Sequence, residues 1–436
     1  MILFVIIIVY LRCKINNYFY NIKENKKFFY FSFFFIYFAT QNMAEGYSEI
    51  KEMRHEKFMC FQNTHKVKRQ QFANIRSHKQ IEKRILVILL VLCVGGMNVL
   101  SQDFLWKTGV YNFFDNSEFA KSKLTIPQTM AGVHLSPEIG LKWNDNHHFF
   151  AGLDAMHEYG SDKAINYIDP IAYYLFEGPR FRFLAGAFPR KQTLDKYPRI
   201  FFQDSINNYR PVVNGIFWEY ASDITNINVW LDWVSRQTHE RRESFFLGWS
   251  GRYNFNIFYG QHFGYMLHLA GRKDPEIREG LHDNMLMSTS LGIDLSSKTP
   301  FEQLEANIGW AVGMERNRDI GDWHRPQGFL SEIKVEYKGL ELYNTYYAGQ
   351  SQRIFHNDHG SDLYWGDPMY HAKSYNRTDC SILFFKSDVV NIKFTWSLHF
   401  AEQTIYHQQL FNASFDLHNM KTGQKKYAYI WDNWLK

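Results

Sequence analysis

The sequence predicts an all-β fold, a transmembrane antiparallel up-and-down β-barrel of about 16 strands. Two observations carry this prediction. Long segments alternate between apolar and polar residues with a period of two, which is the pattern of a strand with one apolar face and one wet face. The connections between these segments are mostly short on one side and long on the other, as in barrels that cross a membrane.

The first long hairpin shows the pattern best. Every second residue from Ala131 to Trp143 is apolar, residues 144–146 read Asn-Asp-Asn, which is turn chemistry, and alternation resumes over residues 149–155. Many of the predicted strands run 11–15 residues. Strands of globular proteins usually run about 5–6 residues, and transmembrane strands need about 9–11. Their length favours a membrane barrel over a soluble sandwich, and their charged faces suit a wet lumen.

Sixteen strands are predicted in chain order. They cover residues 104–114, 129–143, 147–159, 165–177, 179–189, 211–221, 226–235, 243–253, 256–268, 284–296, 301–315, 328–338, 340–348, 376–386, 389–402 and 405–417. Connections after even-numbered strands are mostly tight. Those after odd-numbered strands are usually longer, with 160–164, 236–242 and 403–404 as exceptions. An even number of strands places both ends of the barrel on the rim of short turns, which is the periplasmic rim.

On this architecture the chain resembles Gram-negative outer-membrane porins and porin-like barrels over residues 102–417. Aromatic residues at or near predicted strand ends suit the girdles of such barrels: Trp143, Trp249, Tyr253 and Tyr337. The resemblance implies an outer-membrane location with outer-membrane lipids around the wall. A homotrimer or a surface lipoprotein partner is compatible with it. Residues 418–436 depart from the porin pattern and are predicted to be a tail or an extra strand.

The chain before the barrel is predicted to contain an export signal. Residues 81–101 include the cations Lys83 and Arg84, ten apolar residues from Ile85 to Val94, and a cut site after Ser101. This is the layout of a secretory signal peptide. Residues 1–40 are rich in residues encoded by AT-rich triplets, and residues 1–80 are predicted to be an upstream segment outside the mature protein. The alternative is a membrane-anchoring extension.

Charge and cysteine usage narrow the class further. Residues 1–101 carry 15 Lys and Arg against 6 Asp and Glu, whereas residues 102–436 carry 34 against 38. The exported part is therefore mildly acidic, and no nucleic-acid partner is expected. Three of the four cysteines precede the predicted cut, so Cys380 alone remains in the exported chain and no intrachain disulfide is expected there.

The predicted function is passive diffusion of small polar or anionic solutes through the barrel. A barrel of this size leaves an aqueous channel unless something fills it. The loop at residues 190–210 has an apolar centre, Ile200-Phe201-Phe202, that is predicted to fold into the lumen. Cations on this loop and on the strand before it are predicted to line a constriction, with two inward carboxylates on the wall: Arg180, Arg182, Arg190, Lys191, Arg199, Asp154 and Glu138. The alternative is a solvated surface loop over a neutral pore.

Two other function classes stay open, a barrel enzyme of the lipase or protease type and a closed structural barrel. The sequence contains neither G-x-S-x-G nor HExxH, so the protein is not predicted to be an enzyme. His134, His262 and His399 are predicted to face the lumen as polar wall residues. No cofactor is expected. The segment HNDHGSD at residues 356–362 offers divalent-metal ligands, and a solvated polar loop is the simpler interpretation of it.

Overall fold

The computed structural model describes residues 103–191, 193–274, 279–355, 366–420 and 428–429. The upstream segment, the signal peptide and the HNDHGSD segment lie outside the described residues. Sixteen long strands follow one another along the chain: β1 (Asp103–Glu118), β2 (Gln128–Trp143), β3 (His147–Glu158), β4 (Tyr167–Glu177), β5 (Phe181–Pro189), β6 (Val212–Ala221), β7 (Thr225–Ser235), β8 (Ser244–Phe255), β9 (Phe258–Leu269), β10 (His282–Asp294), β11 (Gln303–Asn317), β12 (Gln327–Tyr337), β13 (Leu340–Gly349), β14 (Ser374–Lys386), β15 (Val390–Ala401) and β16 (Thr404–His418).

These strands form one closed sheet. Each strand pairs antiparallel with its neighbours along the chain, and β1 pairs with both β2 and β16. Lys107, for example, lies opposite Glu138 on one side and opposite His418 on the other. A closed sheet has no free edge, so the backbone hydrogen bonds are satisfied within the wall, which the bilayer interior requires. The predicted 16-stranded antiparallel barrel is confirmed.

Short elements complete the described structure. A two-residue strand, β17 (Ala428–Tyr429), pairs with β14 at Phe385 and Lys386, on the rim of short turns. One helical turn, α1 (Ile206–Tyr209), lies in the loop between β5 and β6. Two 3₁₀ turns span Ser296–Lys298 and Pro368–His371. Among the described residues, no helix has the length and hydropathy needed to span a membrane.

The two faces of the wall differ as the alternation predicts. Outward residues such as Leu291 and Ile308 are large, apolar and exposed, whereas their strand neighbours Ser290 and Asn307 are turned inward and buried. The structure is thus a porin-like outer-membrane barrel with an apolar outer belt and a polar inner wall. Trp143 and Tyr337 end β2 and β12 on the short-turn rim, as an interfacial girdle requires.

The prediction that His262 faces the lumen is wrong. The ring lies on the outer face, where its Nδ1 contacts Thr289 Oγ1 at 2.8 Å and its Nε2 accepts from Trp249 Nε1 at 3.0 Å. The inward row of β9 is largely apolar, with Tyr259, Phe263 and Tyr265 buried. The rule that apolar residues face the lipid therefore gives the wrong side for this strand.

Charge placed on the outer face is expected to cost more than charge placed on the inner face. Ile308 is 62% exposed on the outer belt, and Asn307 beside it faces inward, where its Nδ2 donates to Glu332 Oε2 at 3.2 Å. We expect Ile308→Arg to lower folding stability in lipid vesicles by about 2–4 kcal/mol, the cost of a cation at the bilayer midplane. Asn307→Arg meets a carboxylate and water and is expected to cost much less. Urea unfolding of both variants in vesicles measures the difference, and equal losses would contradict the facing of β11.

Candidate functional site

The loop between β5 and β6, residues 190–210, enters the lumen. We call it the inner loop. Its apolar residues Leu194, Ile200 and Phe201 are buried, as the sequence predicted for its centre. The ring of Phe201 packs 5.6 Å from that of Tyr265, measured between ring centroids. Tyr197 packs in the same way, 5.8 Å from Trp230 and 5.2 Å from Phe263. Large side chains of the wall and of the loop therefore fill the lumen at this level.

Ion pairs tie the inner loop to the wall on opposite sides. Arg190 pairs with Asp232 of β7, and both side chains are buried. Arg199 pairs with Asp379 of β14, and its guanidinium lies 3.5 Å from the ring centroid of Tyr343. β14 lies nine strands from β5 along the chain and seven strands from it the other way round the closed sheet. The loop therefore spans the lumen from one side to the other.

A second loop, between β13 and β14, reinforces this crossing. Arg353 is buried, and its guanidinium donates to the carbonyl oxygens of Ile200 and Phe201 and to Tyr265 Oη. The Tyr265 contact measures 2.9 Å. These hydrogen bonds from one guanidinium hold two successive backbone carbonyls of the inner loop.

The structure brings together only part of the predicted cation-lined constriction. Arg190, Lys191 and Arg199 lie on the inner loop, whereas Arg180 is exposed just before β5 begins. The nine residues of β5 separate the two ends by about 30 Å at 3.3 Å per residue. Arg182 is half-buried, with its guanidinium 5.9 Å from the centroid of the Phe217 ring.

The predicted charges also have partners on the wall. Lys191 Nζ lies 3.8 Å from Asp416, and Glu138 lies 3.1 Å from Lys107 Nζ. Lys107 also donates to Tyr173 Oη at 2.6 Å. These pairs reduce the field that the cations present to a passing anion. Anion preference therefore stays a prediction.

A cavity of about 1180 Å³ opens above the inner loop, at the rim of long loops. We call it the mouth cavity. Its wall comes from the ends of β1, β2, β4, β7 and β14–β16 that reach this rim, and from the loops between them. A pocket of this size can hold much of a lipid head group or the first part of an acyl chain.

A chain of hydrogen bonds lies in the wall of the mouth cavity. Gln408 connects Asp115 with His399. The Nε2 of Gln408 donates to Asp115 Oδ1 at 2.8 Å, and its Oε1 lies 3.1 Å from His399 Nε2. Tyr375 Oη lies 2.7 Å from His399 Nδ1. Ser117 Oγ donates to Asp115 at 3.1 Å. Both ring nitrogens of His399 therefore have hydrogen-bond partners.

Arg377 anchors the end of the inner loop beside this chain. Its Nη1 lies 2.8 Å from Asp204 of the loop, and its Nε donates to Asp379 at 2.9 Å. The carboxylate of Asp379 is thus shared between Arg377 and Arg199. Two cations and two carboxylates in contact satisfy one another, which buried charges require.

A histidine–aspartate pair lies on the wall beside the mouth cavity. His134 Nδ1 is 2.6 Å from Asp154 Oδ1, and Ser136 Oγ donates to Asp154 Oδ2. His134 is 3% exposed, and its Nε2 has no hydrogen-bond partner among the described residues. An aspartate on Nδ1 with Nε2 left free is the arrangement of a histidine general base. We call these two residues the dyad.

The strands position the dyad through their register. Ser136 and Asp154 face each other across β2 and β3, and His134 is diagonal to Asp154 in the same inward row. Pro137 has no backbone N–H, and the paired residues stop at Leu135 and resume at Glu138. Diagonal side chains of this kind are within reach of each other.

The wall between the dyad and the mouth cavity is aromatic. Phe113 lies 5.8 Å from the His134 ring and 6.2 Å from the ring of Tyr209 on α1. Tyr209, Met130 and Asp169 line the mouth cavity. Phe113 and Tyr209 therefore separate the dyad from that cavity.

The two sides of the mouth cavity differ in chemistry. Arginines stand on the side of the β7–β8 and β9–β10 loops: Arg241, Arg242 and Arg272. Apolar residues stand on the side of β1, β2 and β4: Phe119, Leu124, Ile126, Met130 and Tyr167. Asp367, on the loop before β14, also lines the cavity, and burial raises the pKa of its carboxyl group.

Metal ligands are not grouped in the described part of the chain. No set of three His, Cys, Asp or Glu side chains in it has the arrangement needed to hold a metal ion.

Comparison with solved structures returns outer-membrane proteins. OccK3 (OpdO) of Pseudomonas aeruginosa is 9% identical, covers 73% of this chain and 96% of its own, and has a TM-score of 0.46. OccK11 (OpdR) of the same organism is 10% identical, covers 73% and 97%, and has a TM-score of 0.43. A loop-deletion mutant of OmpT from Vibrio cholerae is 8% identical, covers 73% and 100%, and has a TM-score of 0.42. The closed sheet of sixteen long strands is what confirms the predicted porin-like barrel fold.

The sequence comparisons point to a different function. No curated protein matches the chain. One family does match over residues 101–425, and it is described as lipid A 3'-O-deacylase-type. This is an enzyme family, so the prediction that the protein is not an enzyme is wrong. That prediction relied on the absence of two short sequence motifs. The match covers all sixteen long strands of the barrel, and the chain belongs to the lipid A 3'-O-deacylase-type family.

Proposed function

We propose that the protein is an outer-membrane hydrolase that removes an ester-linked acyl chain from lipid A or a closely similar lipid. The observation that carries this proposal is the family match over residues 101–425, which spans the whole barrel. The mouth cavity is the proposed site. It opens at the rim of long loops, which faces the outside of the cell in barrels of this kind. An outer-leaflet lipid has its head group and its acyl esters at that level.

The dyad supplies the base that ester hydrolysis needs. Asp154 accepts the Nδ1 proton of His134 and so holds the imidazole in the tautomer whose Nε2 is an acceptor. Nε2 takes a proton from a water molecule while that water attacks the ester carbonyl carbon. The bond between the carbonyl carbon and the sugar oxygen then breaks, and the proton on Nε2 passes to the departing alkoxide. One ester and one water give a fatty acid and an alcohol.

Tyr209 has a part in admitting the substrate. It lies between the mouth cavity and Phe113, which packs on His134. Its hydroxyl donates to Glu158 of the wall at 3.0 Å. Movement of Tyr209, together with Phe113 behind it, would bring an ester from the cavity to His134 Nε2. Such closing and opening steps commonly control access to active sites.

A diffusion channel is less well supported. The inner loop and the loop that carries Arg353 cross the lumen and are tied to the wall by buried ion pairs and hydrogen bonds. Burial of Ile200 and Phe201 between loop and wall favours this closed arrangement. The family match likewise supports the enzyme rather than the channel.

Mass spectrometry of lipids tests the proposal directly. The purified protein is reconstituted in vesicles that contain lipid A, and the lipid is extracted over time. We expect lipid A to lose one acyl chain and one free fatty acid to appear. Vesicles without protein are the control. Intact lipid A together with steady ion conductance of the same preparation in planar bilayers would refute the hydrolase and restore the channel.

A further inference from the structure

The apolar side of the mouth cavity continues onto the outer surface of the barrel. Ile126 and Tyr167 line the cavity and are 71% and 55% exposed. Ile168, the next residue of β4, is on the opposite face of the strand and is 58% exposed. Ile165, just before β4, is 48% exposed. We call these four residues the lip.

The lip lies at the end of β4 that reaches the rim of long loops. β4 begins at Tyr167, so adjacent residues of one strand belong to two surfaces, the cavity and the outer belt. On the outer face, Ile168 lies opposite Ala155 of β3, which lies opposite Leu135 of β2. Leu135 is also exposed. An apolar path therefore runs from the lipid-facing row over the top of β4 into the cavity.

Exposed isoleucines at a water-filled rim are unfavourable unless something apolar covers them. Each buries enough apolar surface on contact to contribute roughly 1.5–3 kcal/mol, and patches of this kind mark binding sites. The lip is continuous with the lipid-contacting belt, so the covering group is one that the membrane itself supplies. The Phe119, Leu124 and Met130 side chains extend the same apolar surface inside the cavity.

We propose that the lip admits an acyl chain of a membrane lipid sideways into the mouth cavity. This rests on the proposed function for its purpose, since it gives the path by which the scissile acyl chain reaches the site. The acyl chain leaves the bilayer over Ile168, lies across Tyr167 and Ile126, and reaches Phe119 and Leu124 inside the cavity. The head group then stands toward the arginine side of the cavity, which fixes the direction of the lipid in the site.

A kinetic comparison tests the lip with a matched control. Ile126→Asp places a charge on the lip, and Ile320→Asp places the same charge on a rim isoleucine that is 73% exposed and does not line the cavity. The readout is the kcat/KM for lipid A in vesicles divided by that for p-nitrophenyl butyrate, whose short chain has little need of the lip. We expect this ratio to fall about tenfold or more in Ile126→Asp, since a lost apolar contact of this size discriminates by that factor. It should not fall in Ile320→Asp.

Photocrosslinking provides a second measurement that does not depend on activity. A phosphatidylglycerol with a diazirine near the end of one acyl chain is placed in vesicles with the full-length protein. We expect crosslinks at residues 124–126 and 165–167, lost in Ile126→Asp and kept in Ile320→Asp. Lip crosslinks without any lipid A hydrolysis by the wild type would reject the hydrolase and leave the lip standing. Absence of these crosslinks, or equal kinetic ratios in the two variants, would overturn the lip.

Discussion

Replacing His134 by Asn is expected to lower the rate of lipid A deacylation by about 10²- to 10⁴-fold, the usual contribution of a general base. Asn has no acceptor of comparable basicity at the position of Nε2, so the attacking water keeps its proton. The polar side chain still fits beside Asp154, which limits the effect on folding. Release of fatty acid from lipid A vesicles measures the rate, and urea unfolding of the same sample checks the fold.

Two further variants make this result specific. His148→Asn changes another buried, lumen-facing histidine, which lies on the same strand as Asp154, near the opposite end of β3. We expect this variant to have a rate close to that of the wild type. Asp154→Asn removes the acceptor that sets the His134 tautomer, so its rate should fall with that of His134→Asn. If the two histidine variants are equally active, the dyad is not the base, and a different group in the mouth cavity must be sought.

The dyad was within reach of the sequence, although no motif points to it. The turn at residues 144–146 pairs Trp143 with His147, and counting back along both strands pairs His134 with Met156. Asp154 is then two residues away in the same inward row. Register in a hairpin follows from its turn, so this contact between His134 and Asp154 is local information.

The wall residues that pair with the inner loop could not be predicted from the sequence in the same way. Its apolar centre predicts that it enters the lumen, because Ile200 and Phe201 cannot stay in water at low cost. Arg199 meets Asp379 only once the distant strand β14 is in place, nine strands from β5 along the chain. Arg190 meets Asp232 two strands along, and no pattern in the loop identifies that partner. The strand pattern therefore assigns no wall partners to the cations of the predicted constriction.

The inner loop also explains why the alternation of apolar and polar residues predicts the wrong inward face for β9. Alternation assigns apolar residues to the lipid, yet Phe263 and Tyr265 face inward and pack on Tyr197 and Phe201. A lumen filled by an apolar loop needs an apolar wall on that side. His262 was therefore predicted to face the lumen although it faces outward, because strand periodicity contains no information about the tertiary contact with the inner loop.

Removing the buried partner of Arg190 is expected to destabilise the barrel by about 3–5 kcal/mol, the usual cost of leaving a buried charge unpaired. Asp232 also accepts the backbone N–H of Asn214 at 3.1 Å, so Asp232→Ala removes two contacts at once. Arg190 additionally donates to the carbonyl of Arg210 at 2.8 Å, and that bond alone does not neutralise the guanidinium. Urea unfolding in vesicles measures the loss.

A water-exposed ion pair between the inner loop and β16 is the matched control. Lys191 and Asp416 are 3.8 Å apart and both are accessible to water, so Asp416→Ala should cost no more than about 1 kcal/mol. The double variant Arg190→Met with Asp232→Leu removes both buried charges and keeps the volume, and its stability should return to near that of the wild type. If Asp232→Ala holds the inner loop less firmly, ion conductance across planar bilayers should rise in that variant and fall back in the double variant. Equal stability and conductance of Asp232→Ala and Asp416→Ala would show that this ion pair does not hold the inner loop in the lumen.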